Sequence, residues 1–319
     1  MRDPGGDGFV VPHTGLWFGG DITVTGAVPE SGPASLELED VDFLLRYEPT
    51  ARVAFFTDVR LENSLQLLEG MGVVAGPGDI LIERLYLDLL LTPHFTLRAG
   101  KFFTPFGLWN VIHRAPLTWT VDAPDVVEET FPIRTTGLSL VYQTTWHGWS
   151  FDATAYGPAQ DKLALRRTTE DGLMGGGRTA VGRALGPAYA TLGLNAAGYE
   201  DQSEETGLKQ WAESFGGDAE VTLRGNQLMA EFVYTHLEKT GRRELGFYVQ
   251  DAIPITRTLY GVLRVEHLEL PEVGSGNGGL IGLFWRPRPW LILKADYQFG
   301  DRVGDLLEPG PIGSFTLFF

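Results

Sequence analysis

Charged side chains recur at regular positions along this sequence and are its candidate functional residues. Four arginines recur in strand-like segments: Arg46, Arg60, Arg84 and Arg98. Six further charges lie in 104–135, the longest stretch without a strand pattern, beside His113: Asp122, Asp125, Glu128, Glu129, Arg114 and Arg134. Acids and arginines that face one another across a narrow, water-filled space create an electric field, and charged patches of this kind select ions.

The four arginines also have a simpler interpretation, which is pairing with acids close to them. The candidate partners are Asp40, Asp42, Asp58 and Asp88. Both interpretations stay open at the level of sequence.

The elements that must position these charges are strands. Segment Trp149–Tyr156 reads W-S-F-D-A-T-A-Y, and Leu291–Phe299 reads L-I-L-K-A-D-Y-Q-F. Polar residues recur at every second position, which is the strand period. The stretch Ile80–Leu91 is interrupted by charges, and no run of about 18 apolar residues exists that could form a transmembrane helix.

The connections between strands alternate between very short and long. Short ones such as Trp146-His147-Gly148 and Arg224-Gly225-Asn226 alternate with long polar ones, including 63–78, 104–135 and 158–178. A transmembrane barrel has short periplasmic turns and long extracellular loops. We therefore predict an all-β fold, one antiparallel barrel domain over 1–319. The sixteen predicted strands are 15–28, 34–47, 51–62, 79–91, 95–103, 136–146, 149–157, 179–185, 189–199, 209–223, 227–237, 244–253, 256–267, 277–285, 290–299 and 313–319.

A barrel of this size is too wide for side chains to fill, so its interior should hold water and its polar face should point inward. The predicted pore-lining charges, besides the four arginines, are Asp58, Asp88, Arg264, Glu266, Lys294 and Asp296. Arg183 belongs to the same predicted inward face. Aromatic residues near strand ends, Phe102 and Tyr248 among them, are expected to form interfacial belts.

The composition limits the partners. The net charge is −16, with no basic stripe, which argues against a nucleic-acid partner. There is no cysteine, so thiolate metal sites and disulfides are excluded. Met1–Gly8 lacks the apolar stretch of a signal peptide, so we interpret the chain as a mature bacterial outer-membrane protein.

The last seven residues, Gly313-Ser314-Phe315-Thr316-Leu317-Phe318-Phe319, resemble the terminal assembly signal of outer-membrane proteins. This resemblance implies that the barrel-assembly machinery recognises Phe319. A second stretch, Gly100-Lys101-Phe102-Phe103-Thr104-Pro105-Phe106-Gly107-Leu108, resembles the G-K-F-x-x-P-F-G segment of the phosphate-selective O and P porins. Those porins carry a basic ladder, which a chain with 25 Lys+Arg and 41 Asp+Glu does not match, so phosphate selectivity is not carried over.

The position of 104–135 resembles that of the constriction loop of general porins, with an ordinary solvated outer loop as the alternative. Porin resemblance also implies a homotrimer in contact with outer-membrane lipids and lipopolysaccharide. We expect a passive channel for small hydrophilic solutes or ions with weak cation preference, without catalytic residues, metal or cofactor. The alternatives are a barrel enzyme such as a lipid hydrolase and a non-conducting structural or adhesin barrel.

Overall fold

The computed structural model describes residues 8–76, 78–112, 114, 117–158, 173–202, 209–271, 274–301 and 309–319. Sixteen long antiparallel strands pair in sequence order, and the first pairs with the last, so the predicted barrel is confirmed as a closed ring. Two short strands, Phe9–Val11 and Gly72–Ala75, pair at the strand ends. We number the long strands β1 Leu16–Ala27, β2 Ser35–Thr50, β3 Val53–Leu68, β4 Asp79–Leu90, β5 Phe95–Phe103, β6 Arg134–Trp146, β7 Trp149–Pro158, β8 Met174–Leu185, β9 Ala188–Gln202, β10 Lys209–Leu223, β11 Asn226–Leu237, β12 Arg243–Pro254, β13 Leu259–Leu270, β14 Gly274–Arg288, β15 Leu291–Gly300 and β16 Gly310–Phe318.

Several strands extend further toward the long connections than the sequence pattern indicates. Segment 63–78, predicted as a loop, contains the end of β3 and the hairpin strand Gly72–Ala75 that pairs with Leu65–Leu68. Strand β8 begins at Met174 and includes a run of glycines that was predicted to be loop. The glycines suit a strand here because a Cβ at Gly176 would lie only 2.7 Å from the Tyr156 hydroxyl. The predicted outer-loop residues 159–172, 203–208 and 302–308 lie outside the described residues.

The short connections lie together at one end of the barrel. Two are tight turns with positive φ at both central residues: His147–Gly148 at 48° and 78°, and Arg224–Gly225 at 52° and 90°. This geometry matches the twist of antiparallel hairpins. Within the described residues the helices are one 3-10 turn, Asn110–Ile112, and one short α-helix, α1 Asp125–Glu129. Among these residues no helix is long and apolar enough to cross a membrane.

The two faces of the barrel follow the strand alternation. Outward residues such as Leu192 and Leu194 are 62% and 71% exposed, whereas the inward Asp218 is 5% exposed. Arg183, predicted to point inward, lies on the outward face with Val181, where its guanidinium stacks on Trp149. Phe102 and Tyr248 were predicted to belong to the aromatic belts but are buried inside the barrel.

The apolar core also lies inside the barrel, not between the wall and a second layer. It is built where the connection between β5 and β6 meets the inner faces of β9–β13. Its members from the connection include Phe106, Trp109, Val126, Val127 and Phe131. They pack with wall residues that include Tyr199, Val233, Tyr248 and Leu268.

Candidate functional site

The connection between β5 and β6, residues 104–133, enters the barrel, and we call it the lumen loop. At its base Thr104 Oγ1 donates to Pro132 O at 2.7 Å, and Asn110 Nδ2 donates to Thr104 O at 2.8 Å. The loop was predicted to run over 104–135, but Arg134 already belongs to β6. These hydrogen bonds hold the two ends of the lumen loop together at its base. The residues between the ends extend across the interior of the barrel.

The first part of the lumen loop is anchored on β9 and β11. Gly107 N donates to Asn195 Oδ1 at 3.1 Å, and Trp109 N donates to Glu231 Oε1 at 2.7 Å. The Tyr248 hydroxyl donates to the same Glu231 oxygen at 2.5 Å. Gly107 has φ 68°, which favours glycine, and here the carboxylate of Glu231 also occupies the space of a side chain.

The second part of the loop is held by two cations that the sequence predicted to line the pore. Arg264 donates from Nη1 to Asp122 O at 2.9 Å and from Nη2 to Ala123 O at 3.1 Å. Lys294 Nζ donates to Thr118 Oγ1 at 2.8 Å and to Thr120 O at 2.7 Å. Both cations are buried, so their charges bind the loop rather than face an open channel.

Two wall acids bind the loop through its backbone amides. Val121 N donates to Asp296 Oδ2 at 2.7 Å, and Asp125 N donates to Glu266 Oε2 at 3.0 Å. Glu266 also accepts from Arg264 Nε at 3.0 Å. All four wall charges predicted on β13 and β15 thus act in loop attachment.

The two arginines predicted at the constriction form ion pairs with acids of the wall. Arg114 is buried, forms an ion pair with Asp21 on β1 and lies 4.0 Å from Asp42. Arg134 pairs with Glu83 on β4 at 2.7 Å. Arg114 therefore attaches the loop to the wall, and Arg134 is part of the wall. His113, from the same predicted set, lies outside the described residues.

The four arginines predicted on β2–β5 are each partnered by an acid nearby. Arg60 lies 2.9 Å from Asp42, Arg84 lies 2.8 Å from Asp58, and Arg98 lies 2.7 Å from Asp88. Arg46 pairs with Glu48. Local pairing, one of the two interpretations left open by the sequence, is what the structure contains.

Aromatic rings add to two of these pairs. The Arg84 guanidinium lies 4.7 Å from the ring centroid of Phe56 and 4.8 Å from that of Phe103. Arg98 lies 3.8 Å from the ring centroid of Tyr86. Stacking of this kind orients the planar guanidinium, so the wall of β3–β5 has fixed donor positions.

The acids of the lumen loop differ in environment. Glu128 and Glu129 are exposed within the barrel, whereas Asp122 and Asp125 are half-buried. Gln298 Nε2 donates to Asp122 Oδ2 at 2.5 Å. Enclosure by the protein, followed by the charge of Glu266, raises the pKa of Asp125 to about 7. Enclosure by the barrel wall, followed by the charges of Asp122 and Glu129, raises the pKa of Glu128 to about 7.

Sequence reasoning missed the residues that attach the loop by apolar contact. Phe106, Trp109 and Phe131 are each at most 4% exposed and lie in the core inside the barrel. The available signal was the apolar run Pro105-Phe106-Gly107-Leu108-Trp109 directly after the strand pattern of 95–103. In the described part of the chain, no group of three or more His, Cys, Asp or Glu side chains could hold a metal ion.

Solved structures with a similar fold include outer-membrane proteins. An in-vitro folded OmpT of Vibrio cholerae in trimer form superposes with a TM-score of 0.63 at 13% identity, covering 95% of this chain and 99% of that one. OmpF of Salmonella typhi, in complex with daunomycin, gives 0.62 at 12% identity and covers 100% and 99%. An anion-selective porin from Comamonas acidovorans gives 0.64 at 11% identity and covers 96% and 98%.

This chain has the fold of the outer-membrane porins.

Sequence comparison adds little to the structural result. No protein-family model matches the chain. An uncharacterized protein of Aquifex aeolicus is 29% identical over 105 residues, which is 33% of this chain. The matched part spans only 23% of that relative's length. The G-K-F-x-x-P-F-G stretch remains a resemblance, and here it forms the end of β5 and the start of the lumen loop.

Proposed function

We propose that the protein is a passive outer-membrane channel for small hydrophilic solutes or ions. The observation that carries the proposal is the lumen loop, which crosses a barrel with a polar inner face and is fastened to the opposite wall. A loop fixed in this way narrows the interior of the barrel without blocking it. The proposed conduction path is the space between the loop and the wall of β3–β7, away from the attachment of Arg114 to Asp21 on β1.

The charges beside this path favour cations weakly. The arginines of β3–β5 are each paired with an aspartate, so their field is largely cancelled. Glu128 and Glu129 are exposed in the interior, and Asp122 and Asp125 lie on the same segment. With a Debye length of about 8 Å at physiological salt, only charges close to the narrowest section act strongly on an ion.

The test is conductance of the purified protein in planar bilayers. Stepwise insertion events with reversal potentials on the cation side are expected. Absence of conductance in several lipid mixtures, together with no solute uptake by liposomes that carry the folded protein, would overturn the channel proposal.

A non-conducting structural barrel is the second candidate, and one observation favours it. Many inward residues, among them Thr23, Ser214 and Gln250, are at most 1% exposed, so the loop and its core cover much of the inner wall. Liposome uptake separates the two candidates directly. A lipid-hydrolase role has no such supporting observation, and inertness toward phospholipid and ester substrates would dispose of it.

The assembly proposed for the channel is a homotrimer in the bacterial outer membrane, in contact with lipopolysaccharide. The trimer form of the similar OmpT supports the oligomeric state, and native mass spectrometry tests it. Insertion would proceed through recognition of Phe319 by the barrel-assembly machinery. Phe319 pairs with Gly20 through two backbone hydrogen bonds of 3.0 Å at the closure of the barrel.

A further inference from the structure

A basic patch lies on three successive turns at the short-turn end of the barrel. Arg224 lies between β10 and β11, Arg257 lies between β12 and β13, and Arg286 and Arg288 lie at the end of β14. Neighbouring turns at one end are two strands apart, or about 10 Å along the rim. We call these four residues the rim arginines.

The three turns touch one another, so the rim arginines form one surface. A Cβ on Gly225 would lie 3.7 Å from Pro254 Cγ, which connects the first turn to the second. Arg286 N donates to Thr258 O at 2.8 Å, which connects the second to the third.

The rim arginines carry charge that is not cancelled locally. Arg224, Arg257 and Arg288 are exposed, and within the described parts of the chain none of the three forms an ion pair. Arg286 is half-buried and donates from Nε and Nη2 to Pro289 O, a neutral acceptor. The acid on the adjoining strand end, Asp251, accepts a hydrogen bond from Asn226 at 2.8 Å. The rim arginines thus bring four positive charges together on a chain whose net charge is −16.

Exposed apolar side chains flank the patch on the outward face. Trp285 and Trp290 are 45% and 51% exposed, and Ile253 and Ile255 are 41% and 57% exposed. Tryptophan favours the interface between hydrocarbon and water, so the rim arginines lie at the level of lipid headgroups. A soluble acidic polymer would need only the charges, whereas a phospholipid uses the charges and the apolar flank together.

We propose that the rim arginines bind the phosphodiester headgroups of anionic phospholipids in the leaflet at the short-turn end. The planar guanidinium matches phosphate oxygens with two parallel hydrogen bonds, which the ammonium of lysine does not. Basic clusters near a membrane surface attract anionic lipids over about a Debye length. The proposal depends on the membrane placement given above but not on conduction, so a silent channel leaves it intact.

The experiment is native mass spectrometry of the delipidated protein titrated with phosphatidylglycerol or with phosphatidylcholine of the same acyl chains. The wild-type protein should retain about tenfold more of the anionic lipid, and less as salt increases. The variant Arg224→Gln/Arg257→Gln/Arg286→Gln/Arg288→Gln should lose that preference. The matched control removes four cations at the opposite end, Lys209→Gln/Lys239→Gln/Arg242→Gln/Arg243→Gln, and should keep it.

Equal retention of the two lipids by the wild-type protein overturns the proposal, whether or not the rim variant folds. Equal loss of preference in both variants also overturns it, since net charge alone would then explain binding. A third arm uses soluble polyglutamate. Binding of polyglutamate by the wild type alone, without phosphatidylglycerol preference, would assign the patch to an acidic polymer instead.

Discussion

Gly107 lies directly over the carboxylate of Glu231, although 123 residues separate them in the chain. A Cβ on Gly107 would come within 1.8 Å of Glu231 Oε2. The same carboxylate accepts a hydrogen bond from Trp109 N at 2.7 Å, so the turn at Gly107 and the wall at Glu231 fix each other's position. The contact identifies the place where the lumen loop meets the far wall.

Gly107→Ala should displace the loop from β11. The added methyl and the positive φ together should cost about 1–3 kcal/mol of stability. Single-channel conductance should fall, because a loop displaced from β11 would move toward the proposed path on the other side of the barrel. Glu231→Gln, which keeps the shape and one acceptor oxygen, is the matched control. Unchanged conductance in a folded Gly107→Ala protein would show that this contact does not determine the width of the path.

Arg264→Gln should loosen the second half of the loop. The change removes the donors to Asp122 O and Ala123 O and leaves the Glu266 carboxylate buried. Breaking a buried pair in this way costs about 3–5 kcal/mol. Limited proteolysis within 117–123 should become faster, while Arg183→Gln, on the outward face, should behave as wild type. Adding Glu266→Gln to Arg264→Gln should recover part of the protection.

Removing the loop acids should shift selectivity more than removing the wall arginines. Asp122→Asn/Asp125→Asn/Glu128→Gln/Glu129→Gln should move reversal potentials toward anions. Arg60→Gln/Arg84→Gln/Arg98→Gln should move them toward cations by a smaller amount, because each arginine is already paired. Shifts of equal size would mean that the aspartates do not cancel the arginine field. No shift in either set would place the selective section elsewhere.

Selectivity should depend on pH near neutrality. The pKa values of Asp125 and Glu128 are both raised to about 7, so both groups are charged above that pH and become neutral below it. Cation preference should therefore be full at pH 8 and fall between about pH 8 and pH 6. Reversal potentials measured across this range test the expectation, and Asp125→Asn/Glu128→Gln should flatten the profile. Wild-type reversal potentials that do not change across the same pH range would show that titration of these two acids does not determine selectivity.

Closure of the barrel should be sensitive to Gly20. A Cβ there would lie 2.2 Å from Asp42 O and 2.5 Å from the ring of Phe319, whereas a Cβ on Gly26 would make ordinary contact at 3.4 Å. Gly20→Val should prevent the compact form on unboiled gels, and Gly26→Ala should retain it. Normal folding of Gly20→Val would show that both the backbone at Asp42 and the Phe319 ring can move aside.

The barrel and its two faces follow from the sequence alone. Alternation puts residues such as Asp218 and Leu194 on opposite faces, because side chains of a strand alternate with a period of two, and the width of a sixteen-strand barrel assigns the polar face to the interior. The spacing of turns such as Arg224–Gly225 gave sixteen strands, all of which are present. Local glycine content was misleading at the start of β8, where Met174–Gly177 pair with β9 as part of the sheet.

The partners of the inward charges could not be read from the sequence. Arg264 and Lys294 lie on strands distant in sequence from the Thr118–Ala123 backbone that they bind, and Arg114 reaches Asp21 across 93 positions. Such contacts exist only after the ring closes and the lumen loop folds into it. Alternation can say which face a charge occupies, but the partner that neutralises it depends on the path of a connection that has no period.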